Sequence, residues 1–280
     1  MNNYRTGPFS GIPLVVKNLL ILNILMLFIT WVVNSTYGVD LNEYLGLYYF
    51  KSEHFRPYQF VTHMFMHAGI GRGGIMHIFF NMFALWMFGQ VLESVWGPKR
   101  FFIYYMIVGI GAAFFYTLVN HIHISYIISA ADQYFKTPTP DGFAILIKRY
   151  FPEYYGQVYT KLLEPWFANP GSAEYVQKAS ESFNQLLTYR YIDVPMIGAS
   201  GAVFGVLLAF GMMFPNTQLM LIFPPIPIKA KYIVIFYGLL ELYLGITQPG
   251  SNVAHFAHIG GMLFGFFLIR YWNKKSKNFY

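Results

Sequence analysis

Apolar residues occur along this chain in long runs, separated by shorter stretches that carry charges, glycines or prolines. Each run is close to the roughly 17 to 25 residues that a helix needs to cross a lipid bilayer. The pattern therefore predicts an all-α, polytopic membrane protein with six transmembrane helices. The six runs lie at about residues 13–33, 76–94, 101–119, 198–214, 232–247 and 254–272.

Two stretches interrupt this pattern, and both fall on the same predicted side of the membrane. Residues 34–75 form an outer loop between the first two spans, and residues 120–190 are the most polar part of the chain. In the second stretch, Ser172 is a typical N-cap residue, and apolar residues follow it at helical spacing. We predict a single membrane domain over residues 1–280, with 120–190 as a partly helical insert on the outer surface of the membrane. The sequence is compatible with three roles for this insert: a lid, a docking platform for substrate or a passive appendage.

Composition supports a membrane protein. Hydrophobic residues make up 56% of the chain and charged residues 11%, and the mean hydropathy is +0.42. An average soluble domain has about 25% charged residues. The chain has no cysteine, which excludes disulfides, a thiol nucleophile and cysteine-bound metals.

The net charge of +7 is best explained by the orientation of the spans. An even number of spans puts both termini on one side, and loops rich in Lys and Arg stay in the cytoplasm. If the termini are cytoplasmic, the cytoplasmic side holds ten basic residues and a single acid, Glu93. The outer side then holds nine bases and ten acids. We expect a multi-pass protein of a bacterial cytoplasmic membrane with both termini cytoplasmic, in contact with the lipid bilayer. The bases form no recognisable nucleic-acid module, so no nucleic-acid partner is expected.

A glycine-rich motif surrounds a serine at the predicted outer end of the fourth span. The run is Gly198-Ala199-Ser200-Gly201, and Gly205 follows Gly201 by four residues. Glycines at this spacing let a second helix approach closely. Taken alone, the motif is more typical of helix packing than of catalysis.

The sixth span carries a matching motif with a histidine. The run is Ala257-His258-Ile259-Gly260-Gly261, again with a glycine, Gly265, four residues after the last. If the two glycine ridges cross at the same depth, Ser200 and His258 come within hydrogen-bond reach, about 3 Å. A neutral imidazole can then take the serine proton while the hydroxyl attacks a carbonyl. The pair predicts a nucleophile and its base, with His255 in a supporting or structural role.

A third motif opens the second span, where His77 and Asn81 lie four residues apart and share one helical face. Both side chains can donate hydrogen bonds to a developing oxyanion, and each such donor is worth roughly 3 to 4 kcal/mol. Without the serine and the histidine, a hydrogen-bonded pair between helices would be the simpler interpretation.

Taken together and in this order, the motifs HxxxN, GxSG and AHxGG resemble those of the rhomboid family of intramembrane serine proteases. The stretch Thr62–His67 is also similar to a histidine-bearing part of that family's first outer loop. The resemblance implies a six-helix rhomboid-like bundle with Ser200 as nucleophile and His258 as general base, in a dyad without a third acid. It implies an oxyanion site formed by His77, Asn81 and the backbone amides of Ala199 and Ser200. Gly198, Gly201 and His255 would support this site.

The resemblance implies an endopeptidase that cleaves transmembrane segments of single-span or polytopic membrane proteins near the outer leaflet, through an acyl-enzyme. No metal or other cofactor is implied. The alternative is a catalytically silent relative that binds transmembrane clients without cutting them. No feature of the sequence identifies the physiological substrate or the oligomeric state.

Two features depart from the family pattern. Tyr58-Gln59 replaces the Trp-Arg pair that many members have in the first outer loop, and the insert has no counterpart in the minimal six-helix core. A metalloprotease is disfavoured, because His63 and His67 have ligand spacing on a helix but lack the glutamate of an HExxH motif. Glu241 lies within the fifth span, and we expect it to be a protonated, hydrogen-bonded carboxyl that faces the helix interior.

Overall fold

A computed structural model of the chain describes residues 11–69, 74–220, 225–248 and 253–275. These residues belong to two compact units. The first unit draws on residues 1–48, 54–117 and 195–280, and the second on residues 49–53 and 118–194.

From the first described element through the long helix that continues into the second unit, the elements are all helical. They are α1 (Leu14–Tyr37), α2 (Asn42–Leu45), α3 (Gln59–Thr62), α4 (Gly74–Ala84), α5 (Gln90–Trp96) and α6 (Pro98–Tyr134). A 3₁₀ turn, His63–Phe65, follows α3, and a π-helical segment, Leu85–Gly89, joins α4 to α5 so that Gly74–Trp96 is one continuous helix.

The remaining elements complete both units. In the second unit they are α7 (Pro140–Tyr150), α8 (Tyr155–Val158), α9 (Glu164–Ala168) and α10 (Ala173–Leu187). The chain then returns to the first unit with α11 (Ser200–Met213), the strands β1 (Gln218–Met220) and β2 (Pro227–Lys229), and the helices α12 (Ala230–Thr247) and α13 (His255–Lys275). The strands pair antiparallel, with Leu219 opposite Ile228, and were not predicted.

Four helices in the described part of the chain are long and apolar enough to cross a membrane. They are α1, the continuous helix Gly74–Trp96, α6 and α12. Helix α11 is apolar but has only 14 residues, and α13 has 21 residues. Each of the six predicted spans thus corresponds to a helix, whereas length and composition alone identify four of them as spans.

Helix α6 differs most from its predicted bounds. It has 37 residues and ends at Tyr134, well beyond the predicted end at residue 119. Ile124, Ile127 and Ala131 continue the helical spacing of buried residues, and no glycine or proline interrupts this stretch. The first part of the predicted insert is therefore a continuation of the third helix.

The second unit has its own hydrophobic core, with Phe143, Phe151 and Trp166 almost completely buried. The predicted helix after Ser172 is present as α10, although the Ser172 side chain makes no capping hydrogen bond. Its apolar face, which includes Ala179 and Phe183, packs into this core. Residues 120–190 are thus more completely helical and better packed than the sequence indicated.

Gln59, the residue at which the sequence departs from the expected Trp-Arg pair, holds the first outer loop together. Its side chain is almost fully buried. The amide oxygen accepts hydrogen bonds from the backbone N–H of Tyr48 at 3.4 Å and of Arg56 at 3.0 Å. The amide nitrogen donates to the carbonyl oxygens of Tyr44 at 3.2 Å and His54 at 3.0 Å. A neutral amide therefore joins four points of this loop, a role that sequence comparison with the family had left open.

Glu93 caps the first helix from a distant part of the sequence. Its side chain is only 3% exposed, and its carboxylate accepts hydrogen bonds from the backbone N–H groups of Val15 at 2.9 Å and Val16 at 2.8 Å. The first N–H groups of a helix lack partners within the helix, and the N-terminus favours a negative charge. The residue at the N-cap is Pro13, which offers no side-chain acceptor, so Glu93 fulfils that function.

Replacing Glu93 with glutamine is expected to lower the free energy of unfolding by about 2 kcal/mol. Each carboxylate oxygen accepts from one N–H, whereas the amide of glutamine has only one oxygen, so one buried N–H loses its acceptor. Thermal unfolding in detergent measures this. The control is Glu43→Gln, an exposed glutamate of α2, which is expected to change stability by less than about 0.5 kcal/mol. Equal stability of the two variants would contradict the capping role.

Candidate active site

Three motif residues lie close to the start of their helices. Ser200 is the first residue of α11, and His77 and His258 are each the fourth residue of α4 and α13. These helices correspond to the second, fourth and sixth predicted spans, which would all begin on the same side of an alternating bundle. The sequence thus predicts a hydroxyl and two imidazoles at one depth.

Glycines allow α11 and α13 to pack backbone against backbone. A methyl group added at Gly261 would collide with the carbonyl oxygen of Gly201, and one added at Gly205 would lie 3.0 Å from the carbonyl oxygen of Gly261. A methyl group at Gly265 would lie 3.5 Å from the Cα of Gly205. The two predicted glycine ridges therefore interlock, and side chains near this crossing are brought together.

The crossing joins the hydroxyl of Ser200 to the imidazole of His258. Ser200 Oγ lies 2.8 Å from His258 Nε2, close to the separation expected from the two motifs. The imidazole also stacks on Phe204, one turn after the serine, with ring centroids 4.2 Å apart and planes 5° apart. The stacking fixes the plane of the ring, so Nε2 faces the hydroxyl.

The other nitrogen of His258 contacts a carboxyl that the sequence analysis did not assign to the site. Glu241 Oε2 lies 2.8 Å from His258 Nδ1 and 2.7 Å from His255 Nδ1. All three side chains are buried. Glu241 faces the helix interior and its carboxyl is hydrogen-bonded, as expected, and two ring nitrogens that both face one oxygen favour an ionised acceptor over the protonated carboxyl expected from the sequence. His255 contacts the glutamate directly.

Depth along the helices could have revealed this partner. The fifth predicted span runs outward and carries Glu241 in its second half, whereas the sixth begins outside with His255 and His258. The glutamate and the histidines therefore lie at a similar level. A buried charge within a span requires a partner, and these histidines were available.

Gly198 places His77 beside the serine. It has a φ of +124°, a conformation that side-chain-bearing residues rarely adopt, and its backbone N–H donates to the carbonyl oxygen of His63 at 2.9 Å. A methyl group at Gly198 would lie 3.0 Å from His77 Cε1 and 3.8 Å from Ser200 Oγ. Glycine at this position thus permits both the turn into α11 and the close approach of the His77 ring.

Asn81 lies one turn after His77 on the continuous helix Gly74–Trp96 and is buried. Its amide nitrogen makes no hydrogen bond with the described part of the chain. A buried donor without a partner is costly and uncommon, and a catalytic role or a bound ion is one of the few explanations for it. Ala199 is the N-cap of α11 and is fully buried, so the first backbone amides of that helix lie next to the serine.

Two histidines of the first outer loop, His63 and His67, are buried and uncharged at neutral pH. Burial lowers the pKa of His63 to about 4 and that of His67 to about 4, with the neighbouring His77 adding to the second shift. Nδ1 of His63 bonds to the carbonyl oxygen of Gln59 at 2.8 Å. The chain leaves the helical conformation at Met66, so His63 and His67 do not share a helix face and the assumed ligand spacing is absent.

A cavity of about 10 Å³ lies beside Ser200, with His63, Met64, Gly109, Gly198 and Ala257 among its lining residues. This volume is roughly that of one water molecule. Within the described residues, the ligand-type side chains close enough to share a metal ion are Glu241, His255 and His258, whose candidate atoms lie within 4.8 Å of one another.

Comparison with known proteins gives one positive result. The sequence model of the family described as "Rhomboid domain" matches residues 54–128 and 172–274, which is more than half of the chain and includes all three motifs. No curated protein sequence matches the chain significantly. The family match and the four long apolar helices together identify an integral membrane protein.

Proposed function

The chain belongs to the rhomboid family, and on that premise we propose that it is an intramembrane serine endopeptidase that uses Ser200 and His258. The 2.8 Å contact between Ser200 Oγ and His258 Nε2 carries the proposal, because it pairs a nucleophile with a base in a buried setting. The family also includes members without activity, so membership alone does not show that this chain is active. The pair of side chains supports the active alternative over a silent binder of transmembrane clients.

In the proposed reaction, Ser200 Oγ attacks the carbonyl carbon of the scissile peptide bond while His258 Nε2 takes the hydroxyl proton. The carbonyl oxygen becomes an oxyanion. In this proposal His77, Asn81 and the backbone amides of Ala199 and Ser200 donate hydrogen bonds to it, and the positive end of the α11 dipole adds to this effect.

The tetrahedral intermediate then collapses. The bond from carbon to nitrogen breaks, and His258 returns its proton to the leaving amine. Water next attacks the acyl-enzyme, with His258 again taking a proton, and releases the carboxylic acid together with the free Ser200 hydroxyl. The cavity beside Ser200 has room for about one water molecule at this position. No step requires a metal or another cofactor.

The proposed substrates are membrane proteins with one or more spans, cut in or beside a transmembrane segment near the outer leaflet. His77, Ser200 and His258 lie near the starts of α4, α11 and α13, and the excess of basic residues in the other loops supports an outer position for these helix starts. An intact helix hides its carbonyl groups in internal hydrogen bonds, so the substrate helix must unwind before attack. We propose six spans in a bacterial cytoplasmic membrane, both termini cytoplasmic, and residues 120–190 on the outer surface.

Purified protein in lipid vesicles tests the proposed function directly. The substrate is a single-span peptide with a glycine- and proline-containing outer segment, compared with the same peptide in which leucine replaces those residues. We expect cleavage of the first peptide and much slower cleavage of the second. Binding of the peptide without any cleavage would instead identify a silent client-binding protein.

Asn81→Leu is expected to lower kcat by about 10²- to 10³-fold, because it removes one donor to the oxyanion. The free energy of unfolding is expected to stay the same or rise, since the replaced amide nitrogen makes no hydrogen bond with the described chain. Initial rates of peptide cleavage and thermal unfolding measure the two effects.

Asn23→Leu is the matched control. Asn23 is a buried asparagine of α1 whose amide nitrogen donates to the carbonyl oxygen of Leu19 at 2.8 Å, and it is outside the proposed site. We expect it to retain kcat. Equal kcat values for the two variants would remove Asn81 from the oxyanion site.

A further inference from the structure

The carboxyl of Glu241 is buried between two imidazoles in the middle of the proposed catalytic machinery. Its side chain is 10% exposed, and one oxygen, Oε2, contacts Nδ1 of both His255 and His258. We propose that Glu241 is a positioning residue: it orients His258, which in turn activates Ser200, so that three side chains act together in place of a two-residue dyad. This inference rests on the proposed protease function.

The proposed role follows from the two ends of the His258 ring. A neutral imidazole carries its proton on one nitrogen and accepts at the other. A carboxylate only accepts, so its contact with Nδ1 keeps the proton there and leaves Nε2 as the acceptor that faces Ser200 Oγ at 2.8 Å. That tautomer is the one able to take the serine proton. The same negative charge stabilises the imidazolium that forms during attack.

His255 holds the carboxylate in place from the other side. Its Nδ1 lies 2.7 Å from the same oxygen, and the two imidazole rings are nearly perpendicular, at 89°. Two N–H donors to one oxygen fix the direction of the carboxylate more strongly than one donor does. The supporting role of His255 is therefore to orient Glu241, which in turn orients His258.

A metal ion is the competing occupant of these three side chains, and the distances argue against it. Zinc bound at about 2.0 to 2.1 Å in a tetrahedral site holds its ligand atoms about 3.3 Å apart. The observed separations of 2.7 and 2.8 Å are those of hydrogen bonds. A metal on Nδ1 would also put the proton of neutral His258 on Nε2, which could then no longer take the serine proton.

Removal of the charge is expected to change both the rate and its pH dependence. Glu241→Gln keeps the shape of the side chain and is expected to lower kcat by about 10²- to 10⁴-fold with little change in KM. Activity requires neutral His258. Among the described residues, Glu241 and His77 interact electrostatically with this ring, and the His255 ring lies edge-on to it. Without the carboxylate, the imidazolium is less stable, so the acid side of the pH profile should move to lower pH.

The decisive experiment measures kcat, KM and the pH profile of peptide cleavage for the parent protein, Glu241→Gln and Glu93→Gln. Glu93 is a matched control, because it is an equally buried glutamate that accepts two hydrogen bonds but caps α1. Both variants are expected to unfold more easily than the parent. Only Glu241→Gln should combine a large loss of kcat with a displaced pH profile.

Several results would overturn the inference. One is a Glu241→Gln variant with the kcat and pH profile of the parent, and another is a loss of activity that only follows the loss of stability, as in Glu93→Gln. Cleavage by the parent that EDTA abolishes and zinc restores would assign the three side chains to a metal. By contrast, a parent protein that cleaves no peptide under any condition would refute the proposed function itself.

Discussion

Replacing Ser200 with alanine is expected to lower peptide cleavage by about 10⁶-fold, to the background rate, because the attacking oxygen is lost and no other group forms the acyl-enzyme. Folding should be almost unaffected, since the change removes one oxygen from a half-buried side chain at a helix start. Cleavage rates in lipid vesicles, measured together with thermal unfolding, test both expectations.

The matched control is Ser94→Ala. Ser94 is a helical serine on α5 that is exposed and donates a hydrogen bond to the carbonyl oxygen of Gln90 at 2.7 Å. This variant should cleave the peptide at the rate of the parent. If Ser200→Ala also cleaves at that rate, the nucleophile has been assigned to the wrong residue.

His258→Ala is expected to lower kcat by a similar factor, about 10⁶-fold, because the serine hydroxyl is a weak nucleophile without its base. The two residues act as a unit, so the double variant with Ser200→Ala should be no slower than either single variant. Cleavage rates of all three proteins measure this non-additivity.

Exposed His54, which stacks on Tyr48 outside the site, provides the control His54→Ala. It should retain the rate of the parent. Losses that simply add in the double variant would show that Ser200 and His258 act independently, contrary to the contact between them.

The sequence was most informative where glycine spacing determines a helix crossing. The ridges Gly201 to Gly205 and Gly261 to Gly265 predicted a close approach of the fourth and sixth spans, and in the structure α11 and α13 interlock at these glycines. Local spacing thus predicted the contact of Ser200 with His258, although the two residues are 58 positions apart.

Other contacts depend on how distant parts of the chain pack together, and no short sequence motif encodes them. Glu241 contacts His258 across 17 positions, through a side-chain arrangement that the short motifs do not contain. In the first outer loop, the four hydrogen bonds of Gln59 depend on the path of the whole loop from Tyr44 to Arg56. Such contacts follow from tertiary structure, and only the depth of a buried charge within its span hinted at one of them.

The bounds of the elements were predicted where strong end signals exist. Pro13 and the left-handed Gly38 delimit α1 close to its predicted range. Helix α6 has no such breaker after residue 119 and continued to Tyr134, and the short strands β1 and β2 are too brief to show an alternating pattern. Periodicity identified the helices, whereas their ends required glycine or proline to be predictable.

The most direct test of the account is the site of covalent labelling by a fluorophosphonate probe. The activated serine oxygen should displace fluoride and form a stable phosphonate ester, which mass spectrometry of the digested protein locates. If Ser200 is activated by His258, the protein should carry one adduct, on Ser200, that forms much more slowly in His258→Ala. A parent protein that cleaves the peptide yet carries its adduct on another residue, or labels equally fast without His258, would contradict this assignment.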